Sequence, residues 1–112
     1  MLLKVGVITE GVQPPTWYAL GIFEALYYKY GYELTVTSLV DGVHPDAKNI
    51  HGRGFAADLR TNGVPAGVLL QIVGDARTLL YKLGFDIVVE TDHTHVEYDP
   101  KPGRDEWLLK HA

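Results

Sequence analysis

The spacing of hydrophobic and polar residues changes along this chain, and each change predicts an element. Lys4 to Ile8 is a short, mostly apolar run that reads as a strand, closed by the punctuation of Gly11 to Pro15. Thr16 can cap a helix in which Leu20, Phe23, Leu26 and Tyr27 recur at helical spacing to about Tyr30, and Gly31 supplies the stop signal. Glu33 to Ser38 alternates as a half-buried strand does, with Leu34 and Val36 on one face and Thr35 and Thr37 on the other. Leu39 to Arg53 mixes Gly, Pro, Asp and Asn and predicts a loop. Gly54 to Thr61 then reads as a central strand, followed by the turn pair Asn62-Gly63. A second helix is expected from about Pro65 to Lys82, closed by Gly84. Its stripe would be Val68, Leu69, Ile72, Ala76, Leu79 and Leu80, with Gly74 weakening it locally. Phe85 to Glu90 and Thr94 to Tyr98 predict two strands joined by a tight turn. The tail from Pro100 ends in Trp107-Leu108-Leu109, a segment able to dock as a short helix.

The strand phases agree with one another. Leu34 and Val36, Phe55, Ala57 and Leu59, and Val96 and Tyr98 can all face the two helices. Side chains alternate along a strand, so Thr35, Thr37, Asp58, His95 and Glu97 would then share the opposite face. The expected architecture is α+β: a small antiparallel sheet with helices packed on one face and Asp58, His95 and Glu97 on the other.

Composition narrows the classes. The chain has 112 residues, the size of one domain, with no linker or repeat, so residues 1–112 read as a single domain. It has no cysteine, which excludes disulfides and thiolate metal sites. The formal charge of -4 and the lack of a Lys/Arg cluster argue against nucleic acid. No apolar run approaches the ~20 residues of a membrane span, and Met1-Leu2-Leu3-Lys4 does not open a secretory signal. A soluble protein made in the cytoplasm is expected, without membrane insertion. His44 and His111 read as surface residues, and the helix aromatics Trp17, Tyr18, Tyr27, Tyr28 and Tyr30 as core and helix surface.

The chemistry lies in two segments. His51 and Asp58 would supply two zinc ligands, and one histidine of His93-Thr94-His95 a third. Three protein ligands leave a position open for water, the arrangement of a catalytic zinc. Such a centre acidifies a bound water and polarises a carbonyl. A carboxylate is then needed to carry the proton to the leaving amine, and Glu90 and Asp92 are the candidates. His93 is expected either to support a ligand from behind or to donate a hydrogen bond to the transition state. Arg53 and Arg60 flank the site as candidates for holding a substrate carboxylate, and Ser38 is a further candidate substrate contact.

The pattern His51-x-x-Gly54-x-Ala56-x-Asp58, followed by an acidic residue three before His95 and by His-x-His, resembles the zinc D-alanyl-D-alanine carboxypeptidase and dipeptidase superfamily. That group includes phage endolysins cutting L-alanyl-D-glutamate bonds of peptidoglycan, and the zinc fold of the hedgehog signalling domain. The resemblance spans roughly Leu34 to Tyr98. It implies His51, Asp58 and His95 as zinc ligands, and Asp92 at the position where the family commonly has a glutamate base. Asn49 stands where the family usually has Ser, and Asp41 where it often has an Arg for a substrate carboxylate. These departures point away from strict D-alanyl-D-alanine specificity and toward a phage-type endopeptidase. The expected function is zinc-dependent hydrolysis of an amide bond in peptidoglycan stem peptides. A phage- or bacterium-encoded enzyme of this kind, lacking a signal peptide, would act on the wall after release by a separate pore protein. The alternative is a zinc-binding interaction module of the same fold without catalysis.

Overall fold

A computed structural model describes residues 1–41 and 51–100 of the chain. His44, Asn49, His111 and the Trp107-Leu108-Leu109 segment lie outside the described residues. The elements in order are β1 (Leu2–Leu3), α1 (Pro14–Lys29), β2 (Thr35–Ser38), β3 (Ala56–Arg60), α2 (Ala66–Leu80), a 3₁₀ turn (Tyr81–Leu83), β4 (Phe85–Val89) and β5 (His93–Tyr98). The strands form one sheet in the order β1-β2-β3-β5-β4. β1 pairs parallel to β2, and the other pairs are antiparallel. The fold is α+β, with two helices on a mostly antiparallel sheet. No described helix is long and apolar enough to cross a membrane.

Helix periodicity sets the core. In α1 the buried positions Thr16, Ala19, Leu20, Phe23, Leu26 and Tyr27 follow the three-and-four spacing of one helix face. In α2 the buried set is Leu69, Ile72, Val73, Ala76 and Leu80. They meet Leu34, Val36, Ala57, Leu59, Phe85, Ile87 and Val96 from the sheet. Removing such apolar surface from water is the main favourable contribution to folding.

Several expectations are corrected. The first strand is Leu2–Leu3 rather than residues 4–8. Gly6 has φ +95° and the Val7 amide donates to the Lys4 carbonyl at 3.1 Å, so that run turns instead of extending. Thr16 does not cap α1. The helix begins earlier, with Gln13 at the N-cap and proline in the first turn, where the missing amide hydrogen costs nothing. Leu79 is 51 % exposed and lies off the α2 stripe, while Val73 takes a core place. Gly54 precedes β3 rather than starting it. Gly31 ends α1 as expected: its amide donates to the Tyr28 carbonyl and the Tyr32 amide to the Tyr27 carbonyl, the paired bonds of a left-handed helix stop.

Candidate metal centre

The sheet brings the two motifs together. Asp58 in β3 and His95 in β5 are register partners, and Asp58 Oδ1 lies 2.9 Å from His95 Nδ1. Both belong to the face away from the helices, since the neighbouring positions Ala57, Leu59 and Val96 enter the core. His51 reaches the same oxygen from the turn before β3, with Nε2 at 3.3 Å from Asp58 Oδ1. The His51 and His95 rings are 5.2 Å apart between centroids.

That turn is held from the helix side. The Gly54 amide donates to the His51 carbonyl at 2.9 Å. The Gly54 carbonyl accepts from the Gln13 amide at 3.0 Å and from the Thr16 hydroxyl at 2.7 Å. Gly54 has φ +84°, and a Cβ there would come within 2.1 Å of the Gly11 carbonyl oxygen. Only glycine meets both demands. The first turn of α1 therefore locks the segment that delivers His51.

One donor atom from each of His51, Asp58 and His95 lies within 4.8 Å of the others, so these residues form a cluster that could hold a metal ion. The donor set fits zinc, which accepts imidazole nitrogen and carboxylate oxygen. Two ligands on a tetrahedral zinc stand about 3.4 Å apart for metal–ligand bonds of about 2.1 Å, and the His51–Asp58 distance of 3.3 Å is close to that. His51 is 1 % exposed and Asp58 8 %. His51 Nδ1 donates to the Leu39 carbonyl at 2.7 Å, and His95 Nε2 lies 3.6 Å from Glu97 Oε1. The Leu39 carbonyl thus supplies for His51 the outer hydrogen bond that orients an imidazole ligand, while the Glu97 carboxylate stands near the second nitrogen of His95.

The charges are strongly coupled. Burial pushes the Asp58 carboxyl up, but hydrogen bonds from His51 and His95 outweigh it and hold the group well below the usual carboxylate range. The bond to Asp58 raises His95 against the effect of its own burial.

The β4–β5 hairpin supplies the remaining candidates. It closes with the Glu90 amide donating to the His93 carbonyl at 2.8 Å, leaving Thr91 and Asp92 at the tip. His93 Nε2 lies 3.0 Å from Glu90 Oε2 and 3.7 Å from Asp58 Oδ1. Its Nδ1 lies 2.6 Å from Asp92 Oδ1, a bond that lowers the Asp92 carboxyl. Glu90 therefore approaches the ring edge nearest the cluster, and Asp92 the other nitrogen. The Asp92 side chain is 87 % exposed.

The candidate substrate contacts are distributed unevenly. Arg60 is exposed, two residues along β3 from Asp58, and pairs with His93 across the strands. It shares the cluster's face. The Arg53 guanidinium stands 5.7 Å from the Phe55 ring centroid. Phe55 adjoins Tyr98, which packs on Phe85 on the helix side, so Arg53 is drawn away from the cluster. Ser38 opposes Asp58 after a register shift that follows Val36. The β2–β3 ladder is therefore irregular between Val36 and Ser38. Its Oγ is shielded from solvent and makes no hydrogen bond with a described residue.

Two contributors escaped the sequence reading. Leu39 acts through its backbone carbonyl, which no side-chain pattern signals. Glu97 follows His95 by two residues along β5 and so shares its face, a spacing that is visible in the sequence. No protein-family model matches this chain, and neither a curated protein nor a solved structure matches it.

Proposed function

We propose that this protein is a zinc-dependent peptidase that hydrolyses an amide bond in peptidoglycan stem peptides. The observation that carries the reading is the convergence of His51 Nε2 and His95 Nδ1 on one Asp58 oxygen. Zinc held by His51, Asp58 and His95 would acidify a bound water and polarise the scissile carbonyl. Glu90 and Asp92 are the candidates for carrying the proton to the leaving amine. The shorter path from the cluster through His93 Nε2 supports Glu90. His93 stands where a donor could stabilise a developing oxyanion. Arg60 is the better candidate for a substrate carboxylate, being exposed on the cluster's face. As such a peptidase it would act on the cell wall after release.

The contacts of both acids with His93 favour a second reading, a zinc-binding interaction module without turnover. One experiment separates the two. Purified protein is incubated with peptidoglycan, with and without a chelator, and newly exposed amino groups are counted. The peptidase reading expects chelator-sensitive release that Glu90→Gln reduces by at least about 100-fold, at the low end of a lost acid–base group, while zinc content stays unchanged. One zinc per chain with no new amines leaves the module, and no bound zinc removes both readings.

A further inference from the structure

We infer that Asp41 is a positioning residue for His51, acting through the Leu39 backbone; this rests on the reading of His51 as a metal ligand. Asp41 Oδ1 accepts two amide hydrogens, from Leu39 at 2.9 Å and from Ile8 at 3.0 Å. The Val40 amide donates in turn to the Ile8 carbonyl at 3.3 Å. The Leu39 carbonyl and the Val40 amide belong to one planar peptide unit, so fixing one fixes the direction of the other. Leu39 is thereby held on both sides, by Asp41 at its amide and by Ile8 across the next peptide.

The consequence falls on His51. The Leu39 carbonyl takes the hydrogen of His51 Nδ1 at 2.7 Å, within a region where Leu39 is 0 % and His51 1 % exposed. A neutral imidazole with its hydrogen on Nδ1 offers its lone pair at Nε2. Nε2 is the atom 3.3 Å from Asp58 Oδ1. Asp41 thus selects the ring orientation and tautomer that a metal requires, acting through the Leu39 backbone. The support is needed locally because β2 ends in a register shift, which leaves the backbone after Ser38 outside the regular ladder.

Three variants test this. Asp41→Ala removes both acceptor contacts. Asp41→Asn keeps an oxygen in the same place. Val73→Ala, in the core of α2, lowers stability without touching this chain of contacts. His51 ring nitrogens are followed by long-range ¹H–¹⁵N NMR in metal-free protein, and zinc dissociation constants by competition with a chromophoric chelator. We expect Asp41→Ala to weaken zinc binding by about 10-fold, the low end of the effect of losing a ligand's own outer partner, and to move His51 from one tautomer to a mixture. Asp41→Asn restores wild-type behaviour in both readouts, and Val73→Ala changes neither. A wild-type tautomer and affinity in Asp41→Ala would overturn the proposal. Should that variant not fold, Asp41→Glu displaces the carboxylate by one methylene, and an unchanged His51 spectrum would overturn it equally. If the wild-type chain binds no zinc, the metal reading fails by itself, while the metal-free spectra still decide whether Asp41 sets the His51 tautomer.

Discussion

Asp58 and His95 stand directly opposite each other on β3 and β5, 2.9 Å apart between Oδ1 and Nδ1. Two of the three proposed ligands are therefore one cross-strand pair, and their spacing is set by the register of a sheet rather than by a loop. A slip of one residue would send His95 to the helix face. Ala57, Leu59 and Val96, each at most 3 % exposed, make that slip costly, so the core of the fold keeps the site in order before any metal arrives.

Zinc should stabilise the folded chain measurably. Metal bound only by the native state, at a free concentration 100 times its dissociation constant, adds about 2.7 kcal/mol. Thermal unfolding followed by circular dichroism should therefore show Tm rising with zinc and returning to its starting value with chelator. Asp58→Asn and His95→Ala should abolish the shift. A zinc-dependent Tm rise that survives both changes would place the metal elsewhere.

Gly54→Ala should be damaging out of proportion to its size. The residue has φ +84°, and its added carbon would meet the Gly11 carbonyl oxygen, a backbone atom with little freedom to move. Strain at a left-handed position and overpacking each cost roughly 1–3 kcal/mol, so a loss of about 3 kcal/mol in urea unfolding is expected. Zinc affinity should fall with it, because the same turn carries His51. A loss within about 0.5 kcal/mol, the range of ordinary surface changes, would contradict the observed packing.

Gly74→Ala should do the opposite. Gly74 is exposed within α2, and a Cβ there meets nothing within 4 Å. Alanine removes backbone freedom from the unfolded chain at no steric cost, a gain of about 0.5–1 kcal/mol. Chemical denaturation should show a higher midpoint with an unchanged slope.

Asp41 should give stability a dependence on acid. Burial pushes its carboxyl up, but the amide hydrogens of Ile8 and Leu39 outweigh this and hold it below its ordinary value. The unfolded chain then binds that proton more readily than the folded one. The contribution is fully present above the unfolded value of about 4 and is lost as pH falls through the depressed folded value. Asp41→Asn should flatten this part of the acid limb, read as the difference between wild-type and variant unfolding curves from pH 6 to pH 2. Identical curves would show that Asp41 does not titrate differently on folding.

Local patterns made much of this legible. The period-two phases of Leu34 and Val36 and of Ala57 and Leu59 placed Asp58 and His95 on a common face, and the burial of those four apolar residues agrees. The helix stripes were readable for the same reason, a regular period against one core. The first strand was misplaced because an apolar run containing Gly6 is equally compatible with a turn, and only the pairing of Leu2 with Thr35 selects between them. Thr16 has the right chemistry for a cap, yet its hydroxyl is taken by the Gly54 carbonyl, a residue distant in sequence.

Side-chain chemistry and the periods of local backbone geometry were enough for the α+β class, most of the core and the candidate ligands. The arrangement of the groups around those ligands came instead from long-range packing. That packing drew Arg53 onto Phe55, set Glu90 on the ring edge of His93 nearest Asp58, shifted the β2–β3 register before Ser38, and aimed the Leu39 carbonyl at His51. Each of these depends on where separate segments meet in space, and backbone carbonyls and register shifts leave no trace in the order of side chains.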